Sequence, residues 1–146
     1  MIITRELKTQ NYVIDCNLVL AGAMLHDIGR SRSHKLDHGI IGGKLLKEEK
    51  FPAELISIIE NHVFAGISKE EALEFNLPHR DFLPHSLEEK VVAYSDNISK
   101  SNAILTTEQV IIRYSRYLDE KHSIIQRVWD LHNEIESLLV TQVKKG

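Results

Sequence analysis

A chain of 146 residues is long enough for one domain that buries roughly two thirds of its unfolded surface. Its 42% apolar and 27% charged residues are those of a folded globular protein, which excludes disorder, and its single cysteine, Cys16, excludes an internal disulfide and suits a reducing, cytoplasmic setting. A net charge of -3 provides no counterion-release drive and so disfavours nucleic acid as a partner, and the longest apolar run, residues 18–25, is far shorter than the roughly 20 residues that cross a bilayer.

In chain order, residues 1–8 lack the apolar stretch of a signal peptide and read as helical turns, with Ile2, Ile3 and Leu7 apolar. Residues 14–28 place Leu18, Ala21, Leu25 and Ile28 at helical spacing, with Gly29 as the stop. After a polar stretch over residues 30–35, a second amphipathic helix begins near Asp37, a candidate cap, and carries Ile41, Leu45 and Leu46 on one side. Pro52 opens a helix whose stripe is Leu55, Ile58 and Ile59. Ser68 with Glu71, Ser86 with Glu89, and Thr106 with Gln109 each match the capping box and place three further helix starts. The segment from Thr107 to Val143 reads as two helices broken near Asp119. No segment alternates as a strand, and no repeat or linker divides the chain. The expected fold is all-α: a single-domain compact helical bundle over residues 1–146, with its chemistry in residues 14–100 and C-terminal helices over residues 106–143.

Eight histidines are present, and six of them fall between His26 and His85. His62 continues the stripe of Leu55, Ile58 and Ile59; His38 precedes Ile41 and Leu45 on the inward side of its helix; His26 trails Val19 and Gly22; and Asp96 follows Val92 and Ala93 by one turn. Each alone has an ordinary explanation as a hydrogen-bonded core residue. Together they describe several polar groups aimed inward, each costly to bury unpaired, and one shared divalent cation would satisfy them all. Neighbours on a helix diverge by about 100°, so His26 and Asp27 can meet one ion only if it lies close against the helix. Mixed nitrogen and oxygen donors suit manganese, iron, cobalt, nickel or zinc, as one or two ions. His79 and His85 flank the Pro84 turn and are expected at the surface, while His122 and His132 are expected to be structural or exposed.

The run Leu25-His26-Asp27-Ile28-Gly29-Arg30, followed by His38, by Glu60-Asn61-His62 and by Ser95-Asp96-Asn97, resembles the HD superfamily over residues 18–98. The resemblance implies an all-helical fold of the HD-domain type, a mono- or dinuclear metal centre, and hydrolysis of phosphate esters in nucleotides or signalling molecules. It makes His26, Asp27 and Asp96 core ligands and gives His38 and His62 the positions that hold a second metal or contact substrate. One departure stands out. The family has an earlier ligand histidine on an upstream helix, and residues 1–25 contain none. Residues 1–8 read as the last turns of that helix, so either the first helix is longer than the sequence given or the chain is a degenerate member that binds without turnover.

The expected activity is that of a metal-dependent phosphohydrolase in which a divalent metal at the His-Asp dyad activates water for attack on phosphorus. Asp27 is the candidate catalytic residue, and Arg30, Arg32, His34 and Lys35, at the exit of the dyad helix, are candidate phosphate-binding residues; a basic loop is also commonly just solvated. The expected partner is a small phosphorylated substrate such as a nucleotide, and a second copy of the chain could cover apolar surface left by the short first helix. Two rivals remain: a nucleotide-binding regulatory module without catalysis, and oxidation at a two-iron version of the site.

Overall fold

The computed structural model describes residues 2–140; the expected end of the last helix, at Val143, lies outside them. Its elements follow from local signals. The first helix, α1 (Ile2–Thr9), buries Thr4 and Leu7. At the next, α2 (Cys16–Leu25), the Asp15 carboxylate accepts from the backbone N–H groups of Asn17 and Leu18, a side-chain cap that fixes the start. This helix is shorter than its apolar spacing suggests. It stops at His26, and the chain turns through a 3-10 segment, Ile28–Ser31, instead of continuing to Ile28. The inward face also differs from the expected one: Val19 and Gly22 are buried, while Leu18, Ala21 and Leu25 are half-buried.

Helix α3 (His38–Glu48) starts where expected, but Asp37 makes no cap bond because its carboxylate accepts from the Ser33 hydroxyl at 2.5 Å. Its buried aliphatics are Ile40 and Leu46; Ile41 and Leu45 are half-buried. Pro52 serves as the N-cap of α4 (Ala53–Asn61), whose stripe of Leu55, Ile58 and Ile59 is buried as expected. The three capping boxes all form, at α5 (Lys69–Glu74), α6 (Leu87–Ile98) and α7 (Thr107–Tyr114). The last helix, α8 (Ser123–Val140), follows a break over residues 115–122. Contrary to the strand-free expectation, a minimal antiparallel hairpin joins α6 to α7, with β1 (Ser99–Lys100) paired to β2 (Ala103–Ile104).

The main core gathers residues from α1, α2, α3, α4, α6, α7 and α8, with Ile58, Ile59, Val91, Val92, Val128 and Ile135 among its most buried members. Glycine sets the approach of α2 to this core: a Cβ at Gly22 would lie 2.6 Å from Ile58 Cγ2 and 3.3 Å from Val92 Cγ2, so the backbone of α2 rests directly on α4 and α6. At Gly29 the contact is tighter still. A Cβ there would fall 1.8 Å from the carbonyl oxygen of His38 and 2.7 Å from the amide nitrogen of Gly42, so the 3-10 turn lies flat on the first turns of α3 and carries Asp27 to His38.

Two polar networks tie the C-terminal helices to the rest. The buried Glu71 carboxylate accepts two bonds from the Arg127 guanidinium, at 2.8 and 2.9 Å, and further bonds from the Ser68 amide and the Ser123 hydroxyl, which locks α5 to α8. The wholly buried His132 is structural, as expected: the Thr107 hydroxyl donates to Glu136, so it accepts from His132 Nδ1 at 2.9 Å, and His132 Nε2 accepts from Asn97 Nδ2 at 3.2 Å. Asn97 Oδ1 in turn accepts from the Tyr114 hydroxyl at 2.6 Å, and the Asn97 carbonyl accepts from Arg113 at 2.7 Å. The residue next to Asp96 is thus pinned by α7 and α8. Among the described residues no helix is long and apolar enough to cross a membrane.

Candidate metal centre

Helix ends build the site. His26 caps the C-terminus of α2, Asp27 follows it, His38 opens α3, His62 caps the C-terminus of α4, and Asp96 lies in the last turns of α6. All five side chains meet. His26 Nε2 lies 3.1 Å from Asp96 Oδ1 and 3.4 Å from Asp27 Oδ2; His38 Nε2 and His62 Nε2 lie 3.3 and 3.7 Å from Asp27 Oδ1. Donor atoms of His26, Asp27 and His62 all lie within 4.8 Å of one another.

The histidine tautomers follow from the backbone. The three Nδ1 atoms lie 2.8, 2.7 and 2.7 Å from the carbonyl oxygens of Ala23, Lys35 and Ile59, each three residues earlier in the chain. A carbonyl only accepts, so each Nδ1 carries a proton, and in the neutral ring each Nε2 presents a lone pair to the centre. For His26 and His62 the geometry follows from position, since a histidine at a helix C-terminus lies one turn from a carbonyl that the helix leaves open, whereas His38 reaches the Lys35 carbonyl in the turn that leads into α3.

This arrangement creates a specific need. His38 Nε2 and His62 Nε2 stand 3.1 Å apart with both Nδ1 protons already committed, so their facing lone pairs require a positive centre between them, either one extra proton or a cation. Burial holds the His38 imidazole below its ordinary pKa, with His62 and Arg30 adding to the shift against Asp27, which disfavours the proton. A cation fits. Metal–donor bonds of about 2.1 Å set neighbouring donors roughly 3.0 to 3.4 Å apart, close to the spacings here. The Asp27 carboxylate also lies between two groups, with Oδ2 toward His26 and Asp96 and Oδ1 toward His38 and His62, a donor set suited to one first-row ion or to two sharing a carboxylate.

The carboxylates are kept ionised. The neighbouring His62 ring, with the His26 and Arg30 charges, holds Asp27 far below the usual carboxylate range despite partial burial, and Arg30 Nε donates to Asp27 Oδ1 at 2.9 Å. Burial alone would raise Asp96, but the His26 hydrogen bond and charge outweigh it and leave the group lowered. Burial likewise works against charge on His26, and the Asp96 hydrogen bond and charge overcome it, so this imidazole is raised. His38 and His62 are 4% and 1% exposed whereas Asp27 is 44% exposed, so the cluster is closed on the protein side and open at its central carboxylate.

A cavity of about 520 Å3 opens beside His38, and Arg30, His34 and Lys35 line part of it. Arg32 does not line it; it caps the 3-10 turn in an exposed position. The surface placement expected of His79 and His85 holds, and the half-buried His122 bonds Glu74 at 3.1 Å. Sequence reasoning overlooked three further residues that line the cavity, Arg113, Tyr114 and Tyr117. The spacing of 113, 114 and 117 marks one helical face, but its aromatic members read equally as core.

Comparison with known proteins shows which family the chain matches. The HD domain family model matches residues 1–101, which include every member of the cluster. An uncharacterized protein of Methanocaldococcus jannaschii is 43% identical over 133 residues, covering 91% of this chain and 79% of that protein. The tRNA (cytidine(56)-2'-O)-methyltransferases of Picrophilus torridus and Thermoplasma volcanium are 38% and 35% identical over 124 and 125 residues, which cover 85% and 86% of this chain but only 36% of each methyltransferase. No solved structure matches. With its histidines and aspartates on helix ends and the family match across more than half its length, the chain belongs to the HD domain family.

Proposed function

We propose that this chain is a metal-dependent phosphohydrolase acting on a small phosphate ester such as a nucleotide, with His26, Asp27, His38, His62 and Asp96 holding one or two divalent transition-metal ions. The observation that supports this reading most is the convergence of three Nε2 lone pairs on the Asp27 carboxylate, with His38 and His62 only 3.1 Å apart. A divalent ion held there would supply Lewis acidity, polarising a phosphoryl oxygen and making water more acidic. The residues supply the rest. Asp27, held strongly ionised, is too weak a base to keep a proton, so its part is to bind the cation and orient the attacking water through an oxygen that accepts. Arg30 fixes that carboxylate, and in the cavity wall Lys35 brings positive charge and His34 a ring N–H to an incoming phosphate. Asp96 holds His26 against it.

A second reading has its own support. The two methyltransferases carry the similar region as 36% of a longer chain named for methyl transfer to tRNA, which is how a regulatory or nucleotide-binding module is carried. Phosphate release from a panel of nucleotides with added manganese, cobalt or nickel, compared between wild type and Asp27→Ala, separates the two. Metal-dependent release lost in the variant supports hydrolysis. Nucleotide binding without release from any member of the panel sinks hydrolysis in favour of the module.

A further inference from the structure

Positive charge is unevenly spread along this chain. The whole carries 18 basic against 21 acidic side chains, yet residues 97–117 hold Lys100, Arg113 and Arg116 against a single carboxylate, Glu108. The fold gathers all three cations at one place. A groove of about 220 Å3 is lined by Lys100 at the end of β1, Leu105 just after β2, and Gln109, Ile112, Arg113 and Arg116, which recur at helical spacing along α7 and the turn that follows it. No carboxylate lines it. Among the described residues none of the three cations makes an ion pair, and the side chains of Lys100 and Arg116 are both exposed.

Surface cations usually relieve their repulsion by swinging apart, and here two of the three are restrained. The Arg113 guanidinium is half-buried, donates to the Asn97 carbonyl at 2.7 Å and lies 5.0 Å from the Tyr114 ring centre, so it stays at the groove. Lys100 stands on a backbone paired with Ala103 across the hairpin. Three like charges held around a small groove with no counter-charge favour an anion between them. One carboxylate would offset a single charge. A phosphoryl group carries more, and its oxygens accept from the forked N–H groups of arginine in pairs. The groove has room for about seven water-sized groups, which suits two phosphoryl groups joined together.

We propose that the groove between the hairpin and α7 is a second anion site, apart from the metal donors, which takes a pyrophosphate group, either free or as part of an ester. None of its residues belongs to the His26–Asp96 cluster, and Arg113 alone also lines the cavity beside His38. The site therefore stands independently of the hydrolase reading.

The test is calorimetric titration of the full chain, stripped of metal by chelator so that no metal–phosphate contact contributes, with inorganic pyrophosphate and with adenosine 5'-diphosphate. Two or more charge-assisted contacts should give pyrophosphate a dissociation constant of about 1 mM or tighter at low ionic strength, weakening as salt is added. Lys100→Gln and Arg116→Gln, at exposed positions outside the cavity beside His38, should each lower the affinity about fivefold, while Lys35→Gln, in that cavity, should change it less than about twofold. No binding to the wild type overturns the inference, and so does an affinity kept in both groove variants, whether or not Lys35→Gln lowers it. Tighter binding of the diphosphate ester, lost in the same two variants, assigns the groove to an esterified ligand; equal affinities assign it to the pyrophosphate group alone, and both uphold the site.

Discussion

Because the His38–His62 contact demands a positive centre, metal binding should register as folding stability. Loading should therefore raise the melting temperature of the wild type, and Asp27→Asn, which keeps the shape but removes the charge at the middle of the cluster, should abolish most of the rise. At a free metal concentration a hundred times the dissociation constant, binding to the native state alone adds about 2.7 kcal/mol. Unfolding entropies near 2.1 cal/mol/K per residue give roughly 0.3 kcal/mol per degree for a chain of this length, so the expected shift is about 9 °C. Differential scanning calorimetry of chelator-treated protein, titrated with manganese, cobalt, nickel or zinc, reads it directly, and elemental analysis of the same samples gives the stoichiometry. Equal shifts in wild type and Asp27→Asn, or no shift with any of the four metals, would refute the argument from facing lone pairs.

Two further outcomes follow from packing and charge. Gly29→Ala should destabilise the protein by about 3 kcal/mol or more in urea melts, because the added methyl meets backbone atoms that cannot rotate away, and it should cut the metal-induced shift by displacing Asp27 from His38; a loss under 1 kcal/mol would mean the turn is slack. Burial raises the Glu71 carboxyl, but bonds from Arg127 and Ser123 overcome this and lower it from 4.5 to about 2. A folded-state pKa below the unfolded one adds stability that is complete above the ordinary value and lost as pH falls toward 2, here on the order of 3 kcal/mol. Urea melts between pH 5 and 2 should show that loss, and Glu71→Gln should flatten it.

Signals that act within one turn were legible in the sequence. Capping boxes at Ser68, Ser86 and Thr106 fixed three helix starts, and the stripe through Leu55, Ile58 and Ile59 aimed His62 into the protein. The convergence of His26, His38, His62 and Asp96 was visible because each lay on an inward helical position, and Asp27 came with it as the neighbour of His26. What depended on competition between neighbours was not visible: Ser33 takes the Asp37 carboxylate that would otherwise cap α3, and the contact of Gly29 with His38 ends α2 three residues early. The tautomers of the three histidines depend on their falling at helix ends, and boundaries are where periodicity says least. The cavity wall brings Phe64 against Tyr114, and no spacing along the chain predicts a contact across 50 positions.

The Tyr114–Asn97–His132–Thr107–Glu136 chain has an implication of its own. Each group in it has one direction in which it can donate, so the sequence of bonds has a single consistent polarity from the cavity wall to Glu136 on the outer helix. A change at any link reverses or breaks the whole series. Substitutions on α8, far from any ligand, would then reach the entrance of the cavity by turning a hydroxyl or an amide at its rim, leaving the imidazoles untouched.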